Sequence, residues 1–518
     1  MLWLSHRRIT VFLAVVIGSL ILLPISISAQ QETTENDDTS GTPHPHADSC
    51  SWTGGACEWD YNMQMMTATF LNDKKETFYA YVEPDVSTFY NQSEGQLQPV
   101  QPDFTGMFVK FVNMGPKMVR VLWIPNGNTA KDPLEICDIE PFGSCGTASY
   151  PSQHFQLAWP DNLDLVLERF TTKPGKNVYV YDAFRGSYEK AYRKLKPEDF
   201  QHYMMQYNNN LFNKHYKEKT GREWLALYGQ KFPPRFHMWQ ADSLGQTHVV
   251  TTKEIHFVEY PPEEELAKGV SLYGPRPEEI TRNRKHRDTH ATMELHLTVL
   301  SCAPRVFEIK HFLSDLEVDH LLKVAEQKNL ETSTTRAGDY AKVTQEESTR
   351  TSTNTWIGRH QDIILDAIYR RAADVMKIDE RLFRRRRKTE IPEFTESMVD
   401  ISESLQLVHY DVGQQYTPHH DFAMPRLVKG QPSRFATLLL YLNDEGLRGG
   451  ETTFPMWRNA ETSKRLDVKP EKGKALLFYN LLPDGNYDEL SMHAARPVLQ
   501  GEKWLANLWV WDPVLAHG

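Results

Sequence analysis

The sequence predicts a multidomain, mainly β protein: an N-terminal β-sandwich, a mixed helical connector, and a second, C-terminal β-rich unit with supporting helices. Length is the first ground for this, because 518 residues is material for three units at about 150 residues each. The second is the recurrence of short runs rich in Val, Tyr, Phe and Leu, bounded by Gly, Pro, Asn and Asp clusters, over 51–182 and again over 404–511. The third is the charged, helix-like text between them. A hydrophobic fraction of 40% and a charged fraction of 24% are ordinary for globular chains and exclude a disordered, collagenous or polytopic membrane protein. A net charge of −10 leaves no basic excess to drive binding to phosphate backbones, so nucleic acid is not an expected partner.

Taken in order, His6-Arg7-Arg8 precede an uncharged run from Ile9 to Leu23, followed by Pro24 and Ser26-Ile27-Ser28-Ala29. That is the pattern of a secretory signal peptide. Counted on to Ile27 the apolar run has 19 residues, near the ~20 that span a bilayer, so 1–29 reads either as a cleaved signal or as a signal anchor. Both place the remainder in the lumen of the endoplasmic reticulum or secretory pathway, the anchor as a single-pass type II membrane protein. Residues 30–49 contain no Leu, Ile, Val, Phe or Trp and read as a disordered linker, because they bury too little apolar surface to offset their ordering entropy.

The β-sandwich is expected over 50–183, with TFYAYVEP, MFVKFVN, MVRVLWI, LDLVLERF and NVYVYDA as strands. Cys50 and Cys57 sit close together, as do Cys137 and Cys145, while Cys302 stands apart. Two local disulfides and one thiol are the simplest reading in an oxidising lumen. Zinc is the alternative, but neither spacing is C-x₂₋₄-C. Asn91-Gln92-Ser93 is a glycosylation sequon.

Residues 184–302 read as the mixed helical connector, with no chemistry assigned. The unit 303–518 opens with a strand and an amphipathic helix whose expected N-cap is Ser314. A second helix is expected in HQDIILDAIYRRAADVM, and the basic run from Arg384 to Lys388 reads as a solvated loop insertion. Strands follow in LQLVHYDV, RFATLLLYLN, ALLFYN and WLANLWVW.

The chemistry is expected at Gln415-Tyr416-Thr417-Pro418-His419-His420-Asp421-Phe422. In an extended segment, residues i and i+2 share a face, so His419 and Asp421 point at a common ion while His420 faces away. Two imidazoles and one carboxylate leave three open positions on an octahedral metal, the ligand set of non-heme Fe(II) oxygenases. His493, in SMHAA just before another strand, is the best third ligand. Ten residues on, Lys503 leads into an apolar strand, a costly place for an ammonium unless it is paired. A substrate carboxylate would be such a partner.

Several motifs in order resemble the catalytic domain of prolyl 4-hydroxylases: PRVFEIKHFLS, Arg350-Thr351-Ser352, ESLQLVHYDVGQQYTPHHDF, YLNDEGLRGGETTFP, KGKALLFYN, SMHAARPV and GEKWLANLWVW. The resemblance implies a double-stranded β-helix (jelly roll) and an oxidoreductase that hydroxylates peptidyl proline at C4 while decarboxylating 2-oxoglutarate to succinate and CO₂. It implies Fe(2+) held by His419, Asp421 and His493, 2-oxoglutarate held by Lys503, Tyr410 and Thr452, and L-ascorbate as the reductant. Glu403, Arg434 and Trp509 match positions that line the peptide groove, with Arg350 and Ser352 on the loop that closes over it. LLPDG and the ending LANLWVWDP are similar to the transmembrane, endoplasmic reticulum type. Trp511 stands where collagen-type enzymes carry histidine, so peptide preference does not transfer. Two other functions stay open: oxygenation of another peptidyl residue, and a peptide-binding module with vestigial catalysis.

Within 109–159, Phe111-Val112-Asn113, Val119, Val121, Trp123, Ile139-Glu140-Pro141-Phe142-Gly143, Ser149-Tyr150 and His154 resemble the β domain of the von Hippel–Lindau tumour suppressor. In that protein the sandwich recognises hydroxyproline peptides.

Overall fold

The computed structural model describes residues 106–125, 133–226, 236–253, 293–328, 330–333, 351–384, 400–422, 433–457 and 465–512, together with the backbone of three earlier strands. The expected signal or anchor at 1–29, the linker at 30–49, the Cys50–Cys57 pair, Asn91, Arg350 and the basic run from residue 385 onward lie outside the described residues. Among the described residues no helix is long and apolar enough to cross a membrane.

Three strands, β1 (Cys57–Asp60), β2 (Met65–Thr69) and β3 (Thr77–Tyr81), form an antiparallel sheet. The sandwich follows: β4 (Met107–Asn113), β5 (Val119–Ile124), β6 (Leu134–Ile139), β7 (Ser144–Ser149), β8 (His154–Trp159), β9 (Asn162–Thr171) and β10 (Val178–Tyr181). They make two sheets, β10-β4-β7 and β6-β5-β8-β9. Alternate residues of β4, Met107, Val109 and Phe111, enter the core between the sheets with Val119, Val121, Phe155 and Leu157. The other face of β4 carries Phe108 and Val112, which belong to the core shared with the C-terminal unit. That second burial makes all seven β4 positions buried, where a surface strand would alternate. Cys137 and Cys145 are joined in a disulfide, as expected, and Cys302 is a buried thiol.

Helices α1 (Tyr188–Lys194) and α2 (Pro197–Thr220) account for the charged text of the connector. Its remainder departs from a mixed helical linker: β11 (Thr247–Thr251) and β12 (Glu294–Ser301) are strands of the C-terminal sheet, and β12 pairs with β13 (Val306–Ile309). The expected boundary at 302/303 therefore falls inside a sheet. Pairing with a distant edge supplied strand order that the local text lacked.

Helix α3 (Asp315–Glu326) starts at Ser314 with a reciprocal capping box to Glu317, satisfying two otherwise orphaned donors. Strands β14 (Glu331–Thr332) and β15 (Thr353–Ile357) precede α4 (Ile363–Val375), which is capped by Asp362. The rest of the unit is β: β16 (Leu405–Tyr410), β17 (Tyr416–His419), β18 (Arg434–Tyr441), β19 (Arg448–Gly449), β20 (Thr452–Phe454), β21 (Leu466–Val468), β22 (Ala475–Tyr479), β23 (His493–Ala495), β24 (Val498–Gln500) and β25 (Lys503–Trp511).

A nine-stranded sheet ordered β11-β12-β13-β22-β18-β25-β16-β15-β14 faces a four-stranded sheet ordered β17-β23-β20-β21. This is the two-sheet jelly roll implied by the resemblance. Period-2 alternation divides the large sheet. Leu438, Leu440, Leu477, Ala506 and Leu508 pack with α3 and α4, whereas Leu439, Tyr441, Leu476, Phe478 and Leu505 face Phe454 and Val468 of the small sheet. The site lies between the sheets.

Candidate active site

His419 ends β17 and His493 begins β23, and the two residues are directly paired across the antiparallel ladder. Asp421 lies two residues beyond β17, in a bend, so the extended i, i+2 geometry holds only as far as His419. The bend still delivers the carboxylate. His419 Nε2 is 3.8 Å from Asp421 Oδ1, and His493 Nε2 is 3.6 Å from Asp421 Oδ2. Ligand atoms of the three residues all lie within 4.8 Å of one another.

Both imidazoles are oriented by the backbone. Nδ1–H of His419 donates to the Thr417 carbonyl at 2.8 Å, and Nδ1–H of His493 donates to the Ser491 carbonyl at 3.0 Å. Because a carbonyl only accepts, Nδ1 carries a proton in each ring, so the neutral ring presents a bare Nε2 to the cluster, the tautomer a metal ligand needs. Tyr416 stacks on His419 with centroids 3.5 Å apart. Thr437 donates to Asp421 Oδ2 at 2.7 Å and itself receives Asn480 Nδ2 at 3.0 Å. Burial of Asp421 opposes ionisation, but His493, His419 and Arg434 hold its carboxyl well below the usual carboxylate range. His420 faces away, as expected, and donates from Nε2 to the Glu489 carbonyl at 2.9 Å. Desolvation lowers its pKa to about 4, so its ring is neutral.

Lys503, Leu505, Asn507 and Trp509 share one face of β25 and line the same cleft as the three ligands, together with Tyr410, Thr452 and Leu439. Lys503 is fully buried, and its Nζ has no hydrogen-bond partner among the described residues. The rings of Tyr410 and Tyr441 lie with their centroids 5.4 and 5.9 Å from Nζ. Burial lowers its pKa to about 7, partly opposed by Glu451. Gly450, at φ 69°, leaves room for the lysine stem, since a Cβ there would lie 3.1 Å from Lys503 Cδ. Thr452 accepts a hydrogen bond from Tyr441 at 2.8 Å. An orphaned ammonium at the far end of a cleft that begins at three metal-type donors fits a chelating diacid such as 2-oxoglutarate, and the donor set fits Fe(II).

Glu403, Arg434 and Trp509 are also brought together. Arg434 makes a two-point ion pair with Glu403 at 2.6 and 2.9 Å and stacks over Trp509 at 3.7 Å. Trp511 Nε1–H donates to Glu403 at 2.8 Å. Ser352 is a correction. It has no exposed surface, and its hydroxyl donates to Ser333 at 3.0 Å, so it braces the β14–β15 edge instead of facing the groove. The segment before β15 turns that side chain inward, which a tripeptide match does not reveal.

Four contributors were not anticipated: Tyr416, Thr437, Tyr441 and Asn507. Thr437, Leu439 and Tyr441 alternate along β18 and Lys503, Leu505 and Asn507 along β25, so period-2 spacing from Lys503 was the available signal for Asn507. For Thr437 and Tyr441 no such anchor existed in the text of β18.

A family model described as the 2OG-Fe(II) oxygenase superfamily matches residues 405–511. The chain is similar to probable prolyl 4-hydroxylase 7 of Arabidopsis thaliana, 36% identical over 226 residues, covering 41% of this chain and 65% of that relative. It is equally similar to probable prolyl 4-hydroxylase 6 of the same plant, 36% identical over 226 residues, covering 41% of this chain and 71% of the relative. Among solved structures it resembles the viral collagen prolyl hydroxylase of Paramecium Bursaria Chlorella virus-1, at 25% identity over 40% of this chain and 96% of that one, with a TM-score of 0.28. The assignment rests on the sequence relatives, whose match spans 41% of this chain. With that identity over most of a relative's length, and with a His-Asp-His cluster facing a buried lysine, the chain belongs to the prolyl 4-hydroxylase family of Fe(II)- and 2-oxoglutarate-dependent oxygenases.

Proposed function

We propose that this protein hydroxylates proline at C4 in peptide or protein substrates of the secretory pathway. The observation that carries the reading is the cleft itself: it is lined by three ligand atoms within 4.8 Å of one another and by a fully buried ammonium with no hydrogen-bond partner among the described residues. His419, Asp421 and His493 would hold Fe(II). When bound, Fe(II) with 2-oxoglutarate supplies the oxidative chemistry, in which O₂ decarboxylates the cosubstrate to succinate and CO₂ and hydroxylates the target carbon.

The chain's own residues bind and orient. Lys503 pairs with the distal carboxylate of 2-oxoglutarate, beside the hydroxyls of Tyr410 and Thr452, and Thr437 keeps Asp421 turned toward the ion. The Trp509–Arg434–Glu403–Trp511 surface offers flat aromatic and cationic faces to a proline-containing segment. L-ascorbate would restore ferrous iron after turnovers uncoupled from substrate. The disulfide between Cys137 and Cys145 and the basic and apolar N-terminal text support a lumenal protein led in, and in the anchor case retained, by residues 1–29. In that compartment Asn91 would be a glycosylation site.

Incubation with Fe(II), ascorbate, 2-oxoglutarate and a library of proline-containing peptides should give succinate coupled to the gain of one oxygen atom on proline, read by tandem mass spectrometry. Oxygen on another side chain would select a different peptidyl substrate. Peptide binding with no succinate would select the vestigial reading.

A further inference from the structure

The N-terminal sandwich takes no part in the chemistry above, yet it meets both metal-binding segments. Phe108, on the face of β4 turned away from the sandwich core, is nearly fully buried. Its ring stands edge-on to His420 at 5.5 Å and to Phe422 at 4.9 Å, the two residues that bracket Asp421. On the other side lies the 3₁₀ turn Glu489–Ser491, which leads into His493 and whose Ser491 carbonyl orients the His493 ring.

Glu489 joins these parts. Its Oε1 accepts the Phe108 backbone N–H at 2.7 Å and Asn177 Nδ2 at 3.0 Å, while its backbone carbonyl accepts Nε2–H of His420 at 2.9 Å. Asn177, the residue before β10, also donates to the Phe108 carbonyl at 2.7 Å. Charge-assisted bonds of this kind are the stronger ones in a protein interior. A second observation comes from the neighbouring strand. A Cβ at Gly146 of β7 would lie 2.3 Å from Phe108 Cζ and 3.0 Å from its Cε2, so the ring occupies its place only because residue 146 has no side chain.

We propose that Glu489, with Phe108 and Asn177, is a positioning network through which the sandwich sets the His419–Asp421 segment against His493. The sandwich is then part of the metal site and not an appended module. This rests on the reading of the cluster as a metal centre.

The test uses the full chain as wild type, Glu489→Ala, Glu489→Gln and Gly146→Ala, with anaerobic Co(II) titration, the Co(II) d–d spectrum and thermal unfolding of the metal-free protein. Glu489→Ala and Gly146→Ala should each weaken Co(II) binding about tenfold, the scale of lost outer partners of metal ligands, and alter the d–d bands. Glu489→Gln keeps the Oε1 acceptor and should restore affinity and spectrum. Gly146→Ala presses on the Phe108 ring and, at 3.0 Å, on the Val109 carbonyl, and touches neither Glu489 nor the ligands, so it keeps the test open if Glu489→Ala does not fold. Wild type that takes up no Co(II) would overturn the metal reading and the network with it. Wild-type binding with unchanged affinity and spectrum in both variants would overturn the network alone, whether or not their unfolding midpoints fall.

Discussion

An ammonium buried without a hydrogen-bond partner costs free energy in the cosubstrate-free protein, and Lys503, beside Tyr410 and Tyr441, has none among the described residues. Lys503→Met should therefore stabilise the cosubstrate-free protein by about 1–3 kcal/mol while abolishing 2-oxoglutarate binding, read by thermal unfolding and by calorimetric titration. The pH dependence follows from the same burial. The folded protein releases this proton near pH 7, whereas the unfolded chain keeps it to 10.5. The unfolded state thus binds the extra proton between those values, so the Lys503 penalty is full below about 7 and fades as pH rises to 10.5. Binding of a dianion needs the ammonium, so 2-oxoglutarate affinity should fall by roughly tenfold per pH unit above the lysine's pKa. A flat affinity profile from pH 7 to 9 would contradict that assignment. For the carboxylate ligand, Thr437→Val removes the hydroxyl that donates to Asp421 and should weaken Co(II) binding about tenfold, measured by titration.

Elements carry a different kind of prediction. Helix α3 is joined to α4 by Glu317 and Arg371, both without exposed surface, through bonds of 2.6 and 2.9 Å, with Arg371 also donating to the Phe312 carbonyl. Glu317→Ala strands the guanidinium and should cost about 3–5 kcal/mol in denaturant unfolding, whereas replacing both by apolar residues of similar volume should be nearly neutral. The helices themselves were legible: the Ser314 cap and the Ile363, Ile364, Ala367, Ile368 spacing are local signals, and both elements formed where those signals lay. β11 and β12 were not, because their text reads as connector until a distant edge strand pairs with it.

At the scale of the molecule, the face of β4 turned from the sandwich core shares a core with the C-terminal unit. Tyr216 of α2 donates to Asp484 at 2.8 Å, and Asn486 accepts the Leu225 N–H at 2.7 Å, so the loop before His493 is held by the connector as well. A chain lacking residues 1–183 would leave His420 and Phe422 without the Phe108 ring and uncover an apolar surface. It should be less soluble, and its unfolding midpoint should drop by several degrees relative to the full chain, as measured by calorimetry.

What the sequence by itself determined was the chemistry's parts list. The H-x-D spacing named His419 and Asp421, the text downstream offered His493 and Lys503, and the ordered motifs supplied the jelly roll. Residue type and short spacing are local properties, and a linear string records them. Tertiary structure decided what those parts face: the register that pairs His419 with His493, the inward turn of Ser352, the Thr437 and Tyr441 contacts, and the union of sandwich and jelly roll through Glu489. Each depends on which strand lies beside which, and that is settled by burial of faces from segments far apart in the chain.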